Sequence, residues 1–178
     1  MSEQHVFEHE VVQQRTAPTS GTRTYDPALM ERVRAFYADW AACLDEDRYR
    51  DWLGFFHKDA EYSVTDRENA DTGLYLTKER GIVALQVRAA YLSGYWRMQR
   101  KPRVHLIGNL RVFVESDGTL NVKASAVLVR TGLDGHSEVH AAGTYDDLLA
   151  GKGEGFEILR HAVVLDADVQ PYDMTDIV

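Results

Sequence analysis

Arg103-Val104-His105-Leu106-Ile107-Gly108-Asn109-Leu110-Arg111-Val112-Phe113-Val114 is the stretch that decides the fold. Val104, Leu106, Leu110, Val112 and Val114 alternate with His105, Asn109 and Arg111, the period of two that marks a half-buried β-strand. On that reading Val104, Leu106, Leu110 and Val112 enter a core, and His105, Asn109 and Arg111 face the other way. Asp117-Gly118 then predicts a hairpin turn into Leu120–Arg130. Asp134-Gly135 turns again into Ser137–Leu149, and Gly151-Lys-Gly-Glu-Gly155 into Phe156–Asp166. The chain therefore ends in a meander of long antiparallel strands.

Upstream the period changes. Asp26-Pro27 announces a helix, with Asp as N-cap and Pro at the first helical position. Leu29, Val33, Phe36, Trp40 and Leu44 follow on one face. A second, shorter helix gathers Tyr49, Trp52, Leu53 and Phe56, and Ala60–Thr65 reads as a short strand. Asp66–Gly73 is loop, and Glu79–Gly94 a third helix with Ile82, Leu85, Ala89 and Leu92 aligned. Helices before a strand meander give an α+β class, not βαβ. Long strands with one apolar face need cover, so the N-terminal helices are expected to pack on a strongly curved, mainly antiparallel sheet. Residues 1–25 read as an arm, disordered or lying on another subunit, and residues 26–178 as a single domain.

The 178 residues are 44% hydrophobic and 27% charged, with a net charge of −8. So acidic a surface disfavours nucleic acid. No apolar stretch approaches the ~20 residues that span a bilayer, and the N-terminus lacks a signal-peptide core, so a cytoplasmic location is expected. Cys43 is the single cysteine, which excludes an internal disulfide, a four-cysteine zinc site and an iron–sulfur cluster held by this chain alone. It lies beside the apolar stripe of the first helix and is expected to be a packed, unreactive thiol.

Among the seven histidines, His5 and His9 fall in the arm, and His136 and His140 flank a turn, where a spacing of four does not chelate a metal. Gly151-x-Gly-x-Gly155 joins strands and opens no helix, so it is not a phosphate loop. Tyr62, Asp66, His105 and His161 come from elements that could line the open end of the curved sheet, and a His–carboxylate pair there would suit proton abstraction or dehydration.

In Arg100-Lys-Pro-Arg-Val-His-Leu-Ile-Gly-Asn-Leu-Arg-Val-Phe113, the residues Arg103, His105, Leu106, Asn109, Arg111 and Val112 fit a pattern of basic, His-Leu, Asn and Arg-Val positions. Asp47-Arg-Tyr-Arg-Asp-Trp-Leu-Gly-Phe-Phe56 carries a Tyr-x-x-Trp-Leu helix, and Arg67-Glu-Asn-Ala-Asp-Thr-Gly-Leu74 a characteristic loop. Together these resemble the small (beta) subunits of Rieske-type aromatic-ring-hydroxylating dioxygenases, from about Leu29 to Leu165. The loop is similar to that of members associated with aromatic carboxylates. Tyr62-Ser-Val-Thr65 departs from the Tyr-Trp-x-Pro of many members.

The resemblance implies the cystatin-like cone fold shared with nuclear transport factor 2, the SnoaL-like proteins and scytalone dehydratase. It implies a structural subunit in an α3β3 assembly, self-associating as a trimer. No cofactor is implied on this chain, the Rieske 2Fe–2S cluster and the mononuclear Fe(II) being held by the large subunit. On this reading Arg103, His105, Asn109 and Arg111 form a subunit interface. Two other readings stay open: an isomerase or dehydratase using His105 or His161 with Asp66, and a non-enzymatic homodimeric binding module.

Overall fold

The computed structural model describes residues 20–95 and 102–167; His5, His9 and most of the expected arm lie outside them. Helix α1 runs from Pro27 to Asp45. The Asp26 carboxylate caps it by accepting from the Ala28 N–H at 3.0 Å. Val33, Phe36, Trp40 and Leu44 form its buried face, as the spacing predicts, and Cys43 is buried beside them. The second helix is shorter than expected: α2 is a single turn, Tyr49–Trp52, followed by the 3₁₀ turn Leu53–Phe55. Phe56 instead opens strand β2, Phe56–Asp66, whose 11 residues extend well beyond the short strand expected there.

The third helix also begins later. Thr77–Arg80 is strand β3, and α3 spans Ile82–Tyr95 after a corner at Gly81, whose φ is 80°. Lys78 and Arg80 on β3 both pair with Glu61 of β2, at 3.3 and 2.7 Å, a cross-strand attraction that the helix-like spacing did not reveal. Strands β4 (Arg103–Val114), β5 (Leu120–Thr131), β6 (Ser137–Lys152) and β7 (Gly155–Leu165) follow as expected. The end of the expected arm, Thr22–Arg23, is strand β1, paired with Val114 and Phe113 of its own chain.

The seven strands make one sheet in the order β1-β4-β5-β6-β7-β2-β3. All neighbours are antiparallel except β2 and β7, which run parallel. Register shifts in β4–β5, β5–β6, β6–β7 and β2–β7 bend the ladder, and the helices occupy its inner side. Val122, Tyr145, Leu149, Ile158 and Val163 meet Trp40, Trp52 and Leu85 there, all 1% exposed or less.

Strand β4 corrects the sequence reading. The ladder pairs Gly108 with Ser125 and Arg111 with Lys123, leaving one extra residue on β4, and Asn109 takes a φ of 53°. A bulge of this kind reverses the alternation. Leu110 and Val112 point inward as expected, but Val104 and Leu106 lie outside, 49% and 55% exposed. Arg103 and His105 point inward instead of onto the opposite face, and Asn109 and Arg111 stay exposed.

These two inward groups tie α1 to the sheet. Arg103 Nη2 donates to the Leu44 carbonyl at 2.6 Å, to Asp47 Oδ1 at 2.7 Å and to the Tyr49 hydroxyl at 2.6 Å. A guanidinium at a helix C-terminus satisfies a terminal carbonyl and opposes the dipole. The Asp45 carboxylate accepts from the His105 backbone N–H at 3.1 Å and from His105 Nδ1 at 2.6 Å. Because a carboxylate only accepts, the His105 proton sits on Nδ1. The Arg103 side chain is 11% exposed, so its pairing is little screened. Arg103→Ala should therefore lower unfolding free energy in urea melts by about 2–4 kcal/mol; a loss under about 1 kcal/mol would mark an ordinary surface pair.

Candidate functional site

The structure links three of the four expected pocket residues through a chain of ring contacts. Tyr62 of β2 and His161 of β7 are register neighbours with ring centroids 5.4 Å apart. Trp40 of α1 stands between the histidines, 5.2 Å from the His161 ring and 6.0 Å from that of His105. Asp66 is not with them. Its carboxylate accepts from the Asn69 side chain at 2.9 Å and from the Asn69 backbone N–H at 2.8 Å, capping the loop after β2. Those bonds hold the Asp66 carboxyl below its usual range.

The carboxylates that partner the histidines are others. Asp45 takes His105, and Asp147 Oδ1 takes His161 Nδ1 at 2.8 Å, while Tyr37 donates to Asp147 Oδ2 at 2.6 Å. His161 and Asp147 are fully buried, so Tyr37–Asp147–His161 is a hydrogen-bonded chain sealed inside the core. The signal for Asp147 was present in Tyr145-Asp146-Asp147, where period two sends one of two adjacent carboxylates inward. Asp146 goes outward to Lys123 and Arg160, at 3.3 and 2.9 Å. Beside the chain, Trp40 Nε1 and the Tyr145 hydroxyl are buried and make no hydrogen bond among the described residues.

The interior of the curved sheet is filled by Trp40, Trp52, Tyr62 and Tyr145, each 1% exposed or less. A hollow of about 540 Å³ lies instead beside α1, where Arg34, Tyr37, Ala38 and Ala41 face the His105–Leu110 segment of β4. It arises from small side chains on the helix and from the bulge that bends the strand. Among the described residues no three metal-ligating side chains converge. His105 and His161 each bind a carboxylate on different sides of Trp40, and the one thiol is buried, its pKa raised by burial. This donor set fits neither an iron–sulfur cluster nor a mononuclear iron.

Burial, with the Asp147 charge nearby, pushes the Tyr37 and Tyr145 hydroxyls well above their ordinary value. Burial also drives Tyr49 up to about 12, against the lowering influence of Arg103. A phenol whose pKa is higher folded than unfolded stabilises the fold below its unfolded value and loses that contribution as pH rises. The contribution of these tyrosines to unfolding free energy should thus hold steady up to about pH 10 and fall through about pH 12 for Tyr49, with tyrosinate absorbance rising in step. Ionisation of Tyr37, Tyr49 or Tyr145 near pH 10 in the folded protein, read as the absorbance difference from the matching Tyr→Phe variant, would contradict this burial.

The family model described as the ring hydroxylating beta subunit matches residues 40–171. The anthranilate 1,2-dioxygenase small subunit of Burkholderia cepacia is 28% identical over 132 residues, covering 69% of this chain and 78% of that protein. The beta subunit assigned to an aromatic-ring-hydroxylating dioxygenase of Novosphingobium aromaticivorans superposes with a TM-score of 0.73 at 27% identity, covering 84% of this chain and 95% of that one. Naphthalene 1,2-dioxygenase with bound indole shares the fold, with a TM-score of 0.71 at 17% identity over 87% of this chain and 88% of that one. The inward-turned Arg103 and His105, the last residues of α1 that they clamp, and strands β2 to β7 fall within the matched span, and this chain belongs to the ring-hydroxylating beta-subunit family.

Proposed function

We propose that this chain is the structural, non-catalytic small subunit of a multicomponent aromatic-ring-hydroxylating oxygenase, and that it supports assembly of the catalytic large subunit. Family membership over residues 40–171 carries the reading. The filled interior supports it, since His161 and Asp147 are sealed from any substrate. On this proposal the Rieske cluster and the Fe(II) belong to the large subunit, the complex is α3β3 and cytoplasmic, and the substrate is an aromatic compound, with a carboxylate in view of the Arg67–Leu74 loop. Of the four interface residues expected, Asn109 and Arg111 keep that role because they face outward on β4. Arg103 and His105 act through α1 instead.

The competing cone-enzyme reading has one observation in its favour, the His161–Asp147 pair with Tyr37 behind it. Purified large subunit, assayed for ring hydroxylation with and without this chain, separates the two. The proposal expects activity and hexamer to depend on the chain, and His161→Gln to act only through stability. Turnover by this chain alone, abolished by His161→Gln in a folded protein, would establish the enzyme reading instead. Arg111→Ala should weaken assembly by about 2–5 kcal/mol if a partner buries the guanidinium, lowering the hexamer fraction and activity together while the chain's own melt is unchanged.

A further inference from the structure

A strand at the border of a sheet leaves a row of peptide N–H and C=O groups without a ladder, and proteins ordinarily cover or interrupt that row. Strand β4 is covered over only part of its length. On the side away from β5, β1 pairs with Phe113 and Val114, and the Thr24 N–H donates to the Val112 carbonyl at 2.9 Å. Near the start of β4 the Asp45 carboxylate accepts from the His105 N–H. That bond shows which way the peptide groups turn. Successive residues of an antiparallel strand direct their N–H and C=O to opposite sides. Ile107 therefore presents its pair on the same side as His105, and Leu110 on the same side as Val112. Among the described residues no strand pairs with Ile107–Leu110 on that side.

The hollow of about 540 Å³ runs along this segment, between β4 and α1. Its walls come from both faces of the sheet. Ile107 and Leu110 lie on the inner face, with Ala38 and Ala41 of α1 across from them. Ser125 and Val127 belong to the outer face, since Ala124 and Ala126 beside them are core. A space that reaches both faces along a strand border matches an added strand, whose side chains alternate between the faces. The border is also cationic. Arg34 lines the hollow, sharing only an exposed 3.3 Å pair with Glu31, and Arg111 follows directly on β4. Asp45 and Asp47, at the other end, are held by His105 and Arg103. The bulge at Asn109 twists the border, a device that disfavours pairing with a second copy of the same strand.

We infer that an extended, acidic segment of the large subunit adds to the sheet as a strand along Ile107–Leu110, filling the hollow beside α1. Main-chain hydrogen bonds attach it, the small Ala38 and Ala41 leave room for its side chains, and Arg34 and Arg111 select its charge. The inference rests on the proposed assembly with a large subunit and is continuous with the interface role of Asn109 and Arg111.

The test uses the full-length chain, alone and co-expressed with the large subunit. Hydrogen–deuterium exchange reads the Ile107 and Leu110 amides, and native mass spectrometry reads assembly. Both amides should exchange rapidly in the chain alone and at least tenfold more slowly in the complex. Ala38→Trp fills the hollow from an exposed helix position, so its thermal melt should match the wild type while the dissociation constant of the complex rises tenfold or more. Arg34→Glu, also exposed, should act in the same direction. A complex in which these amides exchange as in the free chain overturns the inference and leaves the proposed function standing. So does a folded Ala38→Trp or Arg34→Glu variant that binds the large subunit as the wild type does. Slow exchange in the chain alone overturns the inference as well, because the border is then occupied by this chain or a second copy of it. If the wild-type chain and the large subunit form no complex, the proposed function falls and the inference with it.

Discussion

The junction between the end of α1 and the start of β4 holds the rest of the molecule in place. A curved sheet with one apolar face is stable only if its cover stays where it is, and α1 carries much of that cover. Its last turn turns two carboxylates, Asp45 and Asp47, toward the sheet beside the Leu44 carbonyl, which also accepts from the Asp47 N–H at 3.1 Å. Arg103 and His105 convert this unfavourable end into an anchor. Trp40, one turn before it, is thereby fixed between the two histidines, and the aromatic interior assembles around that indole.

Much of the architecture was legible because it rests on local rules. The Asp26 cap, the α1 stripe and the three hairpins depend on neighbours in sequence. The errors came where tertiary pairing overrode local pattern. Thr77–Arg80 has no intrinsic claim to be a strand, and it becomes one because Glu61 offers Lys78 and Arg80 a common partner on β2. The facing of β4 was misread because an unbroken period of two was carried through Gly108-Asn109, where the chain inserts a bulge. Asparagine tolerates a positive φ better than most residues, but nothing local says that it must adopt one.

The candidate site was legible in part for a related reason. The elements that carry Tyr62 and His161 could be read as lining the curved sheet, and the two side chains do meet. The identity of their carboxylate could not, because Asp66 ends β2 while Asp147 lies inside β6, and only the β6–β7 register puts Asp147 opposite His161. The motif Arg103-x-His105 illustrates the converse. Its residue types suggest chemistry or recognition, whereas in the folded chain they serve as ties between a helix end and a strand.

The one parallel pairing bears on the order in which the molecule can be made. Strand β2 is synthesised early, yet one of its neighbours in the sheet is β7, which begins nearly a hundred residues later. Until β7 leaves the ribosome, an edge of β2 remains without its permanent neighbour, while Trp52 of α2 and the small β3–α3 unit pack on the rest of the strand. Closure across so long a loop is slow compared with hairpin formation. The β4–β7 meander, built from adjacent hairpins, will therefore be complete before the sheet is joined to its own beginning. Nascent chains carry an open strand edge for most of translation, and such edges are where chaperones or aggregation act first.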